Sequence, residues 1–288
     1  YTDSELARYQ RPLLVPVTGS KGCVRQCDFC EVHQHWKFQQ RPATGIANEI
    51  KLILEYVKSP HLHFTDSLVN GSLSEFKKLI DLLIDLRKEH PFTWGGQFII
   101  RTSKEFNDND WQKLSASGCT TLSIGVETGN EELRTKMNKK FTNTDLDYSF
   151  DCMKKYSIKC VLLLIIGHPL ETEECFEDTL ALLEKYQSYN IIKTVQLGYA
   201  MSVQPGTPIY DNRADYGLTI YKKNPTIWMS KENPELTYQA RFDRRVRASE
   251  FAIKLGYTMA FDNQHAINEM HHNIVNSSTQ IKIIEKSI

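Results

Sequence analysis

Three of the chain's seven cysteines, Cys23, Cys27 and Cys30, fall within one eight-residue stretch with the spacing C-x3-C-x2-C. Three thiolates on so short a loop can share one metal centre, and two chemistries fit. Zinc takes four thiolate or imidazole ligands in a tetrahedron, and His33 stands at a workable spacing after Cys30 to complete it. An iron–sulfur cluster held by three protein thiolates instead keeps one iron open for a small molecule. Disulfide pairing fits less well, because the group is odd in number and no signal peptide precedes it. The other cysteines, Cys119, Cys152, Cys160 and Cys175, are scattered without ligand spacing. They are expected to be reduced small core residues of a cytoplasmic protein.

A loop that gathers thiolates needs rigid elements on either side of it. Leu13, Leu14 and Val15, between two prolines, predict a strand over residues 11–18 that ends where the cysteine loop begins. Residues 43–58 carry a helical stripe of Ile46, Ile50, Ile53, Leu54 and Val57, broken by Pro60. A strand is expected at 61–65, and Ser72 with Glu75 reads as a capping box opening a helix with Phe76, Leu79, Ile80 and Leu83 on one side. Further strands are predicted at 97–100, 121–126, 161–166 and 194–203, with helices starting at Asp110 and capped by Thr144 and Thr172. The run 161–166 is apolar enough for a strand buried on both faces. This alternation, about six times over, predicts an α/β fold: a partial (β/α)6, TIM-like barrel of parallel strands. In such a fold, sites are built at the carboxyl ends of the strands. After Pro208 the alternation stops. Residues 1–210 are therefore expected to form the core and 211–288 a partly helical extension, with a stripe at Val246, Phe251 and Leu255 and a polar Ser/Asn-rich tail.

Lys plus Arg and Asp plus Glu both number 35, which removes any global electrostatic argument for a nucleic-acid or membrane partner, although a local groove could still be basic. No apolar run reaches the roughly 18 residues of a membrane span. The start at Tyr1 with polar followers is neither a signal peptide nor a natural beginning, so the chain is expected to be a fragment or a processed form.

The cysteine spacing, with aromatic Phe29 just before the last thiol and an apolar strand ahead of it, resembles the radical S-adenosylmethionine (radical SAM) superfamily. Further stretches carry the resemblance. Phe64-Thr65-Asp66-Ser67 is similar to the polar end of that family's second strand, and Ser123-Ile124-Gly125-Val126-Glu127-Thr128-Gly129 to its fourth-strand motif. Leu133, Met137 and Lys139 follow the pattern after that strand, with lysine where relatives often carry arginine and Lys140 as an equal candidate. Residues 165–172 resemble the fifth-strand motif, with Leu170 where glycine is usual. Gln204-Pro205-Gly206-Thr207-Pro208 resembles the turn after the sixth strand. The resemblance spans about residues 12–210. Within it, 64–71 and 94–101 look closest to members that carry a cobalamin-binding domain ahead of the barrel.

That resemblance implies a [4Fe–4S] cluster on Cys23, Cys27 and Cys30, whose open iron chelates S-adenosylmethionine. One-electron reduction then releases methionine and a 5′-deoxyadenosyl radical that abstracts hydrogen from a substrate. It implies that Phe29, Asp66, Ser67, Ser123, Glu127, Lys139, Gly167 and Gln204 orient S-adenosylmethionine. In the family, the carboxylate at the position of Glu127 accepts hydrogen bonds from the ribose hydroxyls, and the basic residue pairs with the methionine carboxylate. Gln97, Arg101 and Tyr199 are the substrate-facing candidates on the third and sixth strands, with barrel-interior packing as their structural alternative, and His168 is a second-rank candidate beside them. An electron donor such as flavodoxin or ferredoxin, a small-molecule or peptide substrate, and in some members cobalamin complete the expectation. Methyl transfer is the favoured subclass. A zinc-stabilised binding protein using His33 is the alternative from another class.

Overall fold

The structure, a computed structural model, describes residues 13–198, 201–221 and 224–260. Its main sheet is built from β1 (Leu14–Val17), β4 (His61–Phe64), β5 (Thr93–Gln97), β6 (Cys119–Glu127), β7 (Lys159–Leu164), β8 (Ile192–Leu197) and β11 (Thr258–Met259), hydrogen-bonded in that order. The six expected strands thus lie in chain order in a parallel-strand sheet, each connected to the next through one or more helices. The ladder is open, with β1 and β11 at its ends. β11, a seventh strand that the sequence pattern did not suggest, pairs parallel with β8. Two short antiparallel pairs complete the strands: β2 (Ser20–Lys21) with β3 (Gln39–Gln40), and β9 (Leu218–Ile220) with β10 (Trp228–Ser230). No helix among the described residues is long and apolar enough to cross a membrane.

The described residues fall into two compact units, one of residues up to 24 with 35–124 and 141–160, the other of 25–34, 125–140 and 161 onward. In the first, helices Ala43–Tyr56 and Leu73–Arg87 are neighbours, and each buries most of its predicted stripe: Ile46, Ile50 and Leu54 in one, Phe76, Leu79, Ile80 and Leu83 in the other. An aromatic core of Phe64, Phe76, Trp94, Phe98, Phe106 and Trp111 lies beneath them, with neighbouring ring centroids 5.3 Å (Phe106 to Trp111) to 6.3 Å (Phe76 to Trp94) apart. Such pairs add to area burial through edge-to-face contact. In the second, Met201, Val203, Ile209, Leu218, Trp228 and Leu236 form a core cluster.

Several local expectations are corrected. Ser72 makes no side-chain cap; the carboxylate of Glu75 instead accepts the N–H of Ala43, capping the neighbouring helix at 2.8 Å. The cap of helix Asn143–Lys155 is Thr142, not Thr144, because Thr142 and Asp145 satisfy each other's backbone N–H groups. β5 occupies 93–97 rather than 97–100. Gly95 and Gly96 sit inside the strand, where Thr121 backbone and the Phe64 and Val69 side chains leave no room for a side chain. The ladder stops at Gln97 because Asn70 takes over: its side-chain amide bonds both the N–H and the C=O of Ile99. β7 alternates, with Cys160, Leu162 and Leu164 buried and its other face half-buried, so it is not enclosed on both sides. Helix Tyr238–Lys254 buries Arg241, Arg245, Ala248, Ser249 and Ala252, while the predicted stripe of Val246, Phe251 and Leu255 is only half-buried. Arginines can line a buried face when carbonyls receive them. Arg241 donates to the carbonyls of Trp228, Leu236 and Thr226 and lies over the Trp228 ring, 3.7 Å from its centroid. The polar tail beyond residue 260 lies outside the described residues.

Candidate functional site

Within the first unit, the sequence-predicted residues gather after β1, β4 and β5. Asp66 is 3% exposed and accepts the backbone N–H of Gly19 at 2.9 Å, fastening the chain at the start of the cysteine loop. Burial raises its carboxyl above the usual range, opposed by hydrogen bonds from Gly19 and Ser20. The Thr18 and Thr65 hydroxyls meet at 2.8 Å, and Ser20 donates to the Leu68 carbonyl at 3.2 Å. The loop thus leaves β1 stapled to the end of β4. Ser67 and Ser123 are half-buried, and the Ser123 carbonyl accepts the Phe98 N–H at 2.9 Å. Gln97 is exposed, with its carbonyl taken by the Val69 N–H. Arg101 directs Nη2 at the carbonyls of Asn70, 2.7 Å, and Gly71, 3.2 Å. That clamp, with the fully buried Asn70, fixes the loop after β4 and was not foreseen. Tyr199 lies outside the described residues.

Cys23 belongs to the first unit; Cys27 and Cys30 belong to the second. Cys30 N–H donates to the Cys27 carbonyl at 3.2 Å, which closes a turn and brings the two residues to the same side of the chain. Cys27 is buried, and Cys23 and Cys30 are half-buried. Among the described residues no three His, Cys, Asp or Glu side chains are already gathered as a metal site. The donor chemistry nevertheless fits an iron–sulfur cluster, since three thiols on eight residues can turn inward around one. His33 falls in the short helix Val32–His35, and its side chain lies outside what the structure describes.

The turn is held firmly. Asn138 Nδ2 donates to the Gln26 carbonyl at 2.6 Å, Asp28 N–H to Met137 O at 3.2 Å, and Ile209 N–H to Asp28 O at 2.9 Å. Phe29 packs against the Met201–Trp228 cluster, so its ring anchors the turn to the core. None of these supports announces itself in sequence, because each joins residues more than a hundred positions apart.

At the end of β6, Glu127 is 8% exposed and accepts Lys139 Nζ at 2.8 Å. The two residues expected to hold different parts of one ligand are therefore paired with each other. Lys140 is exposed, so Lys139 is the lysine that reaches the carboxylate. A Cβ at Gly125 would run into the Glu127 carboxylate and sit 3.1 Å from Lys139 Nζ, so a side chain there would displace the pair. Glu127 itself has φ +69°, a left-handed backbone that side chains rarely adopt. The buried Thr128, Thr179 and Arg134 brace the following loop, with Gly129 N–H donating to Thr179 Oγ1 at 3.0 Å and Arg134 to the Thr128 carbonyl at 3.2 Å.

Gly167 has φ +88°, and its missing Cβ leaves room for the Arg241 stem. The glycine thus has a structural cause as well as the ligand-approach role expected of it. Its N–H donates to the fully buried Glu171, which also receives Arg244 at 3.1 Å. Gln204 is exposed and bonds Ser202 Oγ at 2.7 Å. It borders a cavity of about 630 Å³ with Tyr210, Arg213 and Tyr221. Of the scattered cysteines, Cys119, Cys152 and Cys160 are buried as expected, whereas Cys175 is only half-buried in the first turn of its helix. Cys119 and Cys160 are fully buried and burial pushes both thiols up, which keeps them protonated and inert.

Glu171 gives a pH prediction. Burial pushes its carboxyl from 4.5 up to about 7, against the Gly167 and Arg244 contacts. The folded chain then keeps a proton that the unfolded chain releases. This contribution to stability is present below pH 4.5 and is lost as pH rises through 7. Glu171→Gln removes the loss, so the variant should gain on the native chain by about 3 kcal/mol between pH 4 and pH 8. Urea midpoints across that range measure it; a difference that does not change with pH rejects the assignment.

The profile of the radical SAM superfamily matches residues 17–183. The chain is 26% identical over 207 residues to the tRNA-2-methylthio-N(6)-dimethylallyladenosine synthase of Aquifex aeolicus, covering 67% of this chain and 44% of that one. It spans about two fifths of the length of the curated relatives it matches. Among solved structures, the radical SAM methyltransferase TsrM from Kitasatospora setae aligns with a TM-score of 0.63 at 18% identity, over 78% of this chain and 44% of that one. The cobalamin-dependent S-adenosylmethionine radical enzyme OxsB aligns at 0.60 and 16%, over 78% and 40%. Likenesses of that identity establish the fold alone. The family match covers more than half of the chain and contains all three clustered cysteines, Glu127 and Lys139, and the chain belongs to the radical SAM superfamily.

Proposed function

We propose that residues 1–210 form the catalytic core, with 211–288 as its extension, of an enzyme that cleaves S-adenosylmethionine reductively at a [4Fe–4S] cluster held by Cys23, Cys27 and Cys30. The observation that carries this reading is that the matched stretch holds the three thiols together with a buried carboxylate–ammonium pair at the end of β6. When bound, the cluster and S-adenosylmethionine supply the radical chemistry. The protein's part is to bind, orient and exclude water.

On this reading Glu127 accepts the ribose hydroxyls and Lys139 neutralises the methionine carboxylate. Their mutual contact holds the two side chains in place before the ligand arrives. Asp66, Ser67 and Ser123 supply polar contacts at the ends of β4 and β6, Gly167 and Gln204 border the adenine, and Phe29 shields the cluster. Gln97, Arg101 and Tyr199 face the substrate. For Arg101 this needs its remaining N–H groups, since Nη2 is engaged with backbone carbonyls. The even charge balance favours a small-molecule or peptide substrate, with flavodoxin or ferredoxin as electron donor.

The second reading narrows the first to methyl transfer assisted by cobalamin. It is favoured by the neighbours TsrM, described as a methyltransferase, and OxsB, described as cobalamin-dependent. Transfer of labelled methyl groups that requires added cobalamin supports it; labelled transfer indifferent to cobalamin removes it.

The test of the main reading is anaerobic reconstitution with iron and sulfide, reduction with dithionite in the presence of S-adenosylmethionine, and chromatography for 5′-deoxyadenosine. Its appearance is the expected result. Stoichiometric zinc, lost on replacing His33 and unaccompanied by 5′-deoxyadenosine, overturns the reading.

A further inference from the structure

Asp28 lies between two of the proposed cluster ligands, and two segments distant in sequence converge on its carboxylate. Oδ2 is 3.0 Å from Nε2 of the fully buried His168 and 3.3 Å from the hydroxyl of Tyr216. His168 Nδ1 accepts the Leu170 N–H at 3.3 Å, so the ring proton is on Nε2 and is donated to Asp28. Burial, then the Asp28 charge, pushes the Tyr216 phenol up to about 12, which leaves it a donor throughout the neutral range. The Asp28 backbone is bonded on both sides, to Met137 and Ile209. Oδ1 is buried without a hydrogen-bond partner. A half-satisfied buried carboxylate costs stability that an apolar residue would not. Its presence next to Cys27 therefore calls for a role beyond holding the fold.

We propose that Asp28, His168 and Tyr216 form a latch that holds the Cys27–Cys30 turn in the shape that receives the cluster. They are positioning residues, and the inference rests on the cluster reading above. Without the His168 donor, the Asp28 carboxylate is left in an apolar pocket with one bond. The turn keeps its backbone bonds to Met137 and Ile209 but loses its side-chain hold, and both thiols loosen. Outer partners of this kind set metal affinity by orienting the ligands.

The test compares the native chain with His168→Leu, His168→Gln and Tyr216→Phe, together with Leu114→Ala, a core truncation in the other unit. Each protein is reconstituted anaerobically. The rate of iron release to a chelator is then measured beside the melting temperature of the metal-free chain. His168→Leu should release iron about 10- to 100-fold faster than native. His168→Gln, whose amide N–H reaches the place of Nε2, should restore retention. Tyr216→Phe should accelerate release by less, and it keeps the test decisive if His168→Leu fails to fold. Leu114→Ala should melt lower but retain iron. If release follows melting temperature across all the variants, or His168→Leu and Tyr216→Phe retain iron like the native chain, the latch is overturned while the cluster reading stands. If the native chain itself loads no cluster, both fall together.

Discussion

Cys27→Ala should load no stable [4Fe–4S] cluster and form no 5′-deoxyadenosine, with its fold unchanged. Cys27 is 8% exposed in a turn whose backbone is held at Gln26, Asp28 and Cys30. Alanine fits there and leaves those backbone bonds in place, so the loss falls on the metal and not on the chain. Two thiolates cannot hold what three hold, because a vacated iron position opens the cluster to solvent and to loss of iron. Iron and sulfide content, with the electron paramagnetic resonance of the reduced protein, read the effect directly. Cys119→Ala is the matched control: it removes another buried thiol, one that burial keeps protonated, and should leave the cluster intact. A Cys27→Ala protein with a native complement of iron and native turnover would remove Cys27 from the ligand set.

Glu127→Gln carries the second large effect. The carboxylate and Lys139 Nζ are 2.8 Å apart with both side chains about nine-tenths buried. The amide keeps the shape and removes the charge. Lys139 then loses its ion partner, and the ribose hydroxyls lose a charge-assisted acceptor. Hydrogen bonds to charged groups contribute about 1.5–3 kcal/mol each. S-adenosylmethionine should therefore bind on the order of a hundredfold more weakly to a protein that still carries its cluster. Equilibrium dialysis against the reconstituted chain measures this. Unchanged affinity would confine Glu127 to a structural role.

The large divisions of the fold were legible because period-2 and period-3.6 patterns alternate six times before residue 210, and six strands follow in chain order. What failed were the details decided by partners far along the chain. Glu75 carries the expected capping-box spacing, yet its carboxylate serves Ala43 in another helix. The strand expected at 97–100 lies at 93–97, because Gly95 and Gly96 are the residues small enough for their neighbours there. A buried face built on Arg241 and Arg245 defeats any search for an apolar stripe, because backbone carbonyls and the Trp228 ring make it acceptable. In the site, the cysteines and Glu127 announced themselves by spacing and by motif. Asp28, Asn70 and Asn138 did not, because a polar residue's fate depends on the acceptor that folding brings to it. The direct pairing of Lys139 with Glu127 was likewise invisible: twelve residues separate them, and a strand end followed by a short helix brings them together.

The backbone at Glu127 stores strain that its ion pair with Lys139 outweighs. A left-handed φ of +69° on a residue with a Cβ costs of order 1 kcal/mol, which glycine would avoid and asparagine would reduce. Replacing Glu127 to relieve that strain would take from the nearly buried ammonium of Lys139 the carboxylate it meets, a loss of about 3–5 kcal/mol that exceeds the gain. Anyone engineering a hardier form of this protein should hold residue 127 fixed and seek the gain elsewhere.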